Sequence, residues 1–177
     1  AMRTRVHRPV DAGFSLVEIF IVVAVIAVLT VAGMPTFISF LRTSTLKGGA
    51  REVVTVLNRG RQLAIKENES VCIKSDVANP NYGTRVRFLR GTCGATALCS
   101  ATGNVSPCIW TGAGTDGNGY LTLANRIELQ PPAADVLFSY LGAATPAGSY
   151  RVRVIDNPSG TATVAVATSG RISYTFP

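Results

Sequence analysis

The sequence predicts an α+β fold: a long N-terminal α-helix ahead of a head that is predominantly antiparallel β. Three observations carry this reading. From Phe14 to Leu41 the chain runs 28 residues with a single charge, Glu18. Apolar residues then recur at helical spacing as far as about Asn68, and beyond Ser70 short β-branched or alternating segments follow one another, separated by Gly, Pro, Asn or Asp.

Residues 1–13, AMRTRVHRPVDAG, carry Arg3, Arg5 and Arg8 against one acid, Asp11. A basic flank of this kind holds the N-terminus on the cytoplasmic side and sends the following chain outward. Residues 14–41 exceed the roughly 20 apolar residues that cross a bilayer as a helix. A secretory signal would place small residues after its apolar region. Here the end of the run, VAGMPTFISF, offers only Ala32-Gly33-Met34, and the small pair Ala12-Gly13 precedes the run instead.

Glu18 lies five residues into GFSLVE, where lipid is expected. A carboxylate in hydrocarbon costs several kcal/mol unless paired, so a partner is the default hypothesis. Cleavage after Gly13 would give Phe14 a new α-amine within reach of Glu18, in the same chain or a neighbouring copy. The acid would then neutralise that amine and set the register between helices. The plainer alternative places Glu18 at the headgroup boundary, where its cost is small.

Residues 42–69 continue as an amphipathic helix. In REVVTVLNRGRQLAIKENE, Val53, Val56, Leu57, Ala64 and Ile65 fall near a 3.6-residue period, with Arg51, Arg59, Arg61, Lys66 and Glu67 mostly on other faces. Gly48-Gly49 marks a bend or short break, because two glycines weaken a helix by roughly 2 kcal/mol relative to alanine. The β-rich head, residues 70–177, holds SVCIK, TRVRFLR, YLTLA, RIELQ, VLFSYLG, YRVRVI, TATVAVAT and RISYTF. DVANPNYG reads as a hairpin-type turn, and GTCGATALCSATGNVSPCIWTGAGTDGNG as a long loop. The 136 residues beyond Leu41 suffice for one domain.

Four cysteines, Cys72, Cys93, Cys99 and Cys108, suit disulfides in an exported head. Three connectivities are open; a local Cys93–Cys99 staple with Cys72–Cys108 is preferred. The intervening spacings of 20, 5 and 8 residues lack the short paired spacing of zinc sites. No cofactor is expected. The single histidine, His7, lies in the leader and would be lost on processing, taking with it the usual general base and any Ser/His/Asp set. The acids Asp76, Asp116, Glu128, Asp135 and Asp156 are scattered over turns and strands. Asp116-Gly117-Asn118-Gly119 resembles part of a calcium loop but lacks the following bidentate Glu and reads first as a turn.

Formal net charge is +7, of which the leader contributes three arginines and one aspartate, so the chain beyond it keeps +5. Arg85, Arg87 and Arg90 form one near-alternating row and Arg151 and Arg153 another, each directed largely to one sheet face. Such rows either meet DNA phosphates or remain a solvated surface paired with nearby acids.

Gly13-Phe14-Ser15-Leu16-Val17-Glu18 followed by an aliphatic helix resembles the processing site of type IV pilins and pseudopilins. The resemblance implies cleavage after Gly13 by a prepilin peptidase, methylation of Phe14, and Glu18 as the assembly residue. Pro35, the twenty-second residue after the cut, matches a proline that many type IV pilins carry and leans toward a pilus over a secretion pseudopilus. The order of the later segments, with the D-G-N-G turn, VLFSYLG and a terminal strand containing S-G-R-I, resembles the GspH/FimT group of minor pilins and pseudopilins. Their heads are β-sandwiches of two sheets packed on the helix. That implies an inner-membrane protein with its head in the periplasm, which then enters a filament with other pilin subunits. The FimT branch is associated with DNA uptake through a C-terminal G-R-x-R motif; Gly170-Arg171-Ile172-Ser173 keeps the first arginine and has serine at the second. Arg171, with Arg151 and Arg153, is therefore the candidate DNA-binding set. The functional expectation is a minor pilin or pseudopilin of a type IV pilus or related filament. The alternatives are a DNA-binding minor pilin and a type II secretion pseudopilin H. A singly anchored periplasmic hydrolase is disfavoured by the loss of His7.

Overall fold

The computed structural model describes residues 14–77, 82–91, 93–94, 98–101, 104–124, 126–155 and 157–176, with the side chains of 32, 98–107 and 157–159 outside that description. Residues 1–13, expected as a leader and including Gly13, lie outside the described residues. A helix, α1 (Leu16–Glu67), precedes eleven strands: β1 (Val71–Asp76), β2 (Arg85–Arg90), β3 (Leu98–Ala101), β4 (Asn104–Pro107), β5 (Tyr120–Thr122), β6 (Ile127–Gln130), β7 (Val136–Phe138), β8 (Ala144–Thr145), β9 (Gly148–Val154), β10 (Asn157–Val166) and β11 (Ile172–Thr175). The chain divides into two compact units between Phe40 and Leu41.

In the first unit, the large apolar side chains from Phe14 to Phe40 are exposed. Its hydroxyls turn back to the helix's own carbonyls. Thr30 donates to Ile26 O at 2.7 Å and Thr36 to Gly33 O at 2.8 Å, which leaves few polar groups needing water. Among the described residues no single helix is long and apolar enough to cross a membrane; the pieces Leu16–Val31 and Gly33–Glu67 together meet that test by length and composition.

The second unit is a head of two main antiparallel sheets. One has the order β5-β2-β1-β7-β8 and the other β11-β10-β9-β6, and β3 and β4 form a separate hairpin. Alternation sets the buried faces. Ile73 and its cross-strand partner Phe88 line one sheet, while Leu129, Val152 and Ala162 form a buried row across β6, β9 and β10 of the other. The sheets are joined at one corner, where Gly83 and Leu129 exchange N–H···O bonds of 2.8 Å in both directions.

The second half of α1 enters this core. Leu46, Ala50, Val53, Leu57 and Ala64 are buried with the sheet residues in one cluster. Their intervals of three, four and seven residues keep one helix face inward. Leu63 is buried as well, whereas Ile65, expected in the core, is 50% exposed.

The expected break at Gly48-Gly49 does not occur; α1 runs through both. Gly49 is there for packing. A Cβ at that position would collide with Ile127 Cγ2 of β6, and one at Gly60 would lie 2.6 Å from Ile73 Cδ1 and 3.1 Å from Phe88 Cε1. Eleven residues, close to three turns, separate these glycines, so both face inward. One admits Ile127 of the four-stranded sheet and the other Ile73 and Phe88 of the five-stranded sheet. The helix stops at Glu67 because Asn68 takes φ 53°, and Glu69 N then donates to Ala64 O at 3.2 Å. This is a left-handed cap in which Asn replaces the commoner Gly.

All eight segments expected as strands contain one. The long loop differs from expectation, because β3 and β4 pair within it from Leu98↔Pro107 to Ala101↔Asn104. The preferred disulfide pairing is also corrected: Cys72 bonds Cys93, with Cα atoms 5.2 Å apart. Cys72 is on the face of β1 away from the helix, and Cys93 follows β2 closely enough to reach it. Cys108 is also disulfide-bonded, and no cysteine among the described residues is free.

Candidate functional site

Two regions carry the residues singled out in the sequence. The first is the start of α1. Ser15 O accepts from Ile19 N at 3.3 Å and from Glu18 N at 3.0 Å, which makes Ser15 the N-cap and Glu18 the third helical residue. Ser-x-x-Glu is the sequence form of a capping box. An acid in the first turn gains about 0.3–1 kcal/mol from the helix dipole, so Glu18 has a local reason to be tolerated in addition to any partner. Phe14 is 80% exposed. Pro35 sits inside α1 and removes one backbone donor from it.

The second region is the outer face of the four-stranded sheet. Tyr150, Val152 and Val154 of β9 point inward, so Arg151 and Arg153 point outward. Their environments differ. Arg153 stands opposite Glu128 of β6; its Nε donates to Glu128 Oε2 at 2.7 Å, Nη2 lies at the same distance, and the guanidinium covers Tyr82 with 3.5 Å to the ring centroid. It is neutralised and stacked. Arg151 is exposed and has no ion pair among the described residues.

Arg171 is exposed just before β11. Gly170, at φ 76°, closes the β10–β11 turn by donating to Ala167 O at 2.8 Å, and a Cβ there would strike Gly142 O. The glycine of the G-R pair is therefore a turn residue. Ile172 packs on the core, so alternation places Arg171 and Ser173 on the outer face with Arg151. Arg171 lies opposite Ala167 and Arg151 opposite Thr163 of β10. Four residues along and two strands across puts them roughly 16 Å apart.

Arg85, Arg87 and Arg90 belong to the other sheet and do not join this set, nor do all three share a face as expected: alternation along β2 keeps Arg85 with Arg87 and turns Arg90 to the opposite face. Arg85 pairs with Asp76 at 2.5 Å and shares the Tyr120 ring with Arg87, at 4.6 and 5.3 Å; Arg90 meets Glu67 at 4.0 Å. Glu128, Tyr82 and Tyr120 thus decide which arginines are available. Alternation in RIELQ directs Glu128 outward, but only the β6–β9 register pairs it with Arg153.

The ligand atoms of Cys72, Cys93 and Asp135 lie within 4.8 Å of one another, but the two sulfurs are spent on their mutual bond. In the Asp116 turn, Oδ1 accepts from Asn118 N at 2.9 Å and Tyr120 N at 2.8 Å. That carboxylate organises the backbone, as expected of a turn. Tyr150 Oη is buried and meets no hydrogen-bond geometry; burial, then the charge of Asp135, pushes its phenol well above the usual range, only partly offset by the nearby Val136 backbone.

No family model and no curated protein sequence matches the chain. Among solved structures, the minor pseudopilin EpsH from the Type 2 Secretion System of Vibrio cholerae aligns at TM-score 0.50 with 18% identity, over 75% of this chain and 97% of that one. The type IV minor pilin FimU of Pseudomonas aeruginosa aligns in two crystal forms at TM-scores 0.49 and 0.45 with 16% and 14% identity, over 77% and 73% of this chain and 92% of each of those. The EpsH likeness establishes the fold: a long N-terminal helix followed by antiparallel sheets, the pilin-like α+β arrangement expected from the sequence.

Proposed function

We propose that this chain is a minor pilin or pseudopilin subunit that assembles through its N-terminal helix into a type IV pilus or a related filament. The observation that carries the reading is the division of labour along α1: its second half belongs to the head core, while its first half, behind the GFSLVE motif, exposes apolar side chains from Phe14 to Phe40. Such a surface needs lipid before assembly and neighbouring helices afterwards. In this reading a prepilin peptidase cuts between Gly13 and Phe14, Phe14 is N-methylated, and Glu18 neutralises an N-terminal amine during packing. Pro35 loosens the helix and favours a pilus over a secretion pseudopilus. Intact-mass measurement on protein from host membranes should give residues 14–177 plus one methyl group. A chain retaining the leader, or cut after Gly33, would contradict the reading.

A second reading, DNA reception, rests on Arg151 and Arg171 sharing one exposed face. Two free guanidiniums would give weak binding that declines with salt as phosphate counterions are retained. Arg171→Gln should reduce both affinity and salt slope in a DNA titration of the full chain in detergent. An unchanged titration would remove this reading.

A further inference from the structure

The outer face of the four-stranded sheet carries an open groove of about 830 Å³ at the end where Arg171 stands. Its floor is set by register. Ser149 of β9, Ala165 of β10 and Ser173 of β11 lie directly across from one another, so three adjacent strands present small side chains in one row. Pro132 and Pro146 stand among the wall residues, and among the described residues Arg171 is the one charged residue lining the groove. Its guanidinium has no ion pair among the described residues.

We propose that this groove receives an extended, carboxylate-bearing peptide segment of a partner subunit, with the acid held by Arg171. The inference rests on the reading of the chain as a filament subunit. Three features select this occupant. The row of small side chains spans roughly 10 Å, two interstrand spacings, which matches about three residues of extended chain. Ser149 and Ser173 supply hydroxyls that can donate to or accept from a peptide backbone, and the prolines offer apolar contact without competing N–H donors. A lone guanidinium in a largely apolar trough suits one carboxylate, which it can engage through two parallel N–H···O bonds. A nucleic-acid backbone needs a succession of cations; on this outer sheet face the other arginine without an ion pair among the described residues, Arg151, is roughly 16 Å away by the strand geometry.

The test is photocrosslinking in host cells that express the full chain with p-benzoylphenylalanine in place of Ala133, an exposed residue at the groove edge outside the small-residue floor, and separately in place of Phe37 on the apolar helix. The expected result is an Ala133-site adduct whose sequenced partner peptide comes from another filament subunit and contains Asp or Glu. Its yield should fall about tenfold in Arg171→Gln, the scale of one lost charge-assisted contact. The Phe37-site adducts should persist unchanged. As a second variant, Arg171→Glu should also lose the adduct and regain it when the captured acid is changed to Lys. The groove proposal fails by itself if Phe37-site adducts form while the Ala133-site adduct is missing, is insensitive to Arg171, lacks an acid, or contains nucleic acid. If neither site gives an adduct with another subunit, the filament reading falls with it.

Discussion

Gly48 and Gly49 are adjacent in the same helix, and alanine should act on them in opposite directions. A Cβ at Gly48 meets nothing within 4 Å. Gly48→Ala should therefore express only the helix propensity gain of about 1 kcal/mol. At Gly49 the same methyl would collide with Cγ2 of Ile127 and lie 3.4 Å from its Cβ. Those are the short, branched atoms of a fully buried side chain, which cannot swing aside without moving β6. Overpacking of this kind costs about 1–3 kcal/mol, and the same propensity gain offsets about 1 kcal/mol of it. The net expectation is a loss of about 1 kcal/mol, so the two variants should differ by about 2 kcal/mol. For a head of this size each kcal/mol moves Tm by about 3–4 °C. Trp110 is the single tryptophan, and its ring meets Phe88 edge-on with centroids 5.8 Å apart. Its fluorescence in thermal unfolding of the full chain in detergent reports the head. Gly48→Ala should raise Tm and Gly49→Ala lower it. Shifts of the same sign would refute the close approach of α1 to β6.

The other expectations follow from buried polar groups and cross-links. Tyr150→Phe removes a buried hydroxyl that has no hydrogen-bond partner among the described residues and should stabilise the head by about 1 kcal/mol in urea unfolding. Because burial raises the folded-state pKa of Tyr150 above its unfolded value near 10, this group leaves stability flat below that pH. Above it, the unfolded chain ionises first and the parent should lose up to about 1.4 kcal/mol per pH unit relative to Tyr150→Phe; parallel profiles from pH 9 to 11 would contradict this. Glu128→Gln leaves Arg153 stacked on Tyr82 but unpaired. With side chains 13% and 23% exposed, the loss should be about 1–2 kcal/mol by thermal melt, less than for a fully buried pair. Cys72→Ser opens a bridge between residues 21 apart and should cost about 3 kcal/mol. A non-reducing peptide map should join the Cys72 peptide to Cys93, and a Cys93–Cys99 peptide would contradict the structure.

Much of the architecture was legible because it depends on periodicity. The apolar run, the helix end near Asn68 and eight strands each leave a signal within their own few residues. What escaped depends on three-dimensional register. Gly49 and Gly60 read as weak helix positions because nothing local says that Ile127, Ile73 and Phe88 come close. Ile65 fits the apolar pattern, yet its position falls at the edge of the inward face. The strands β3 and β4 lie in a Gly/Ser/Thr-rich stretch whose composition speaks for a loop. The Cys72–Cys93 pairing needs β1 and β2 side by side, which spacing alone does not give. Among the candidate arginines, alternation read from the sequence directs Arg151 and Arg153 outward together, and Arg85 with Arg87, but it does not keep Arg90 in that second row: an odd step along the strand separates it from them, and it meets Glu67 of α1 on the opposite face. Only the β6–β9 pairing shows that Glu128 occupies Arg153, and only the turn at Gly170 shows why that glycine precedes Arg171.

The central claim is that Glu18 serves assembly. Replacing it with Ala removes the carboxylate while retaining the apolar run and Gly13, so the chain should still insert and be cut. The decisive measurement is the amount of Glu18→Ala chain in sheared filaments set against the amount in the membrane fraction, beside the parent chain. The account predicts parental membrane levels with incorporation reduced about tenfold or more, since the amine loses its partner in a low-dielectric setting. Equal incorporation of variant and parent would contradict it and leave Glu18 as the first-turn acid of a capped helix.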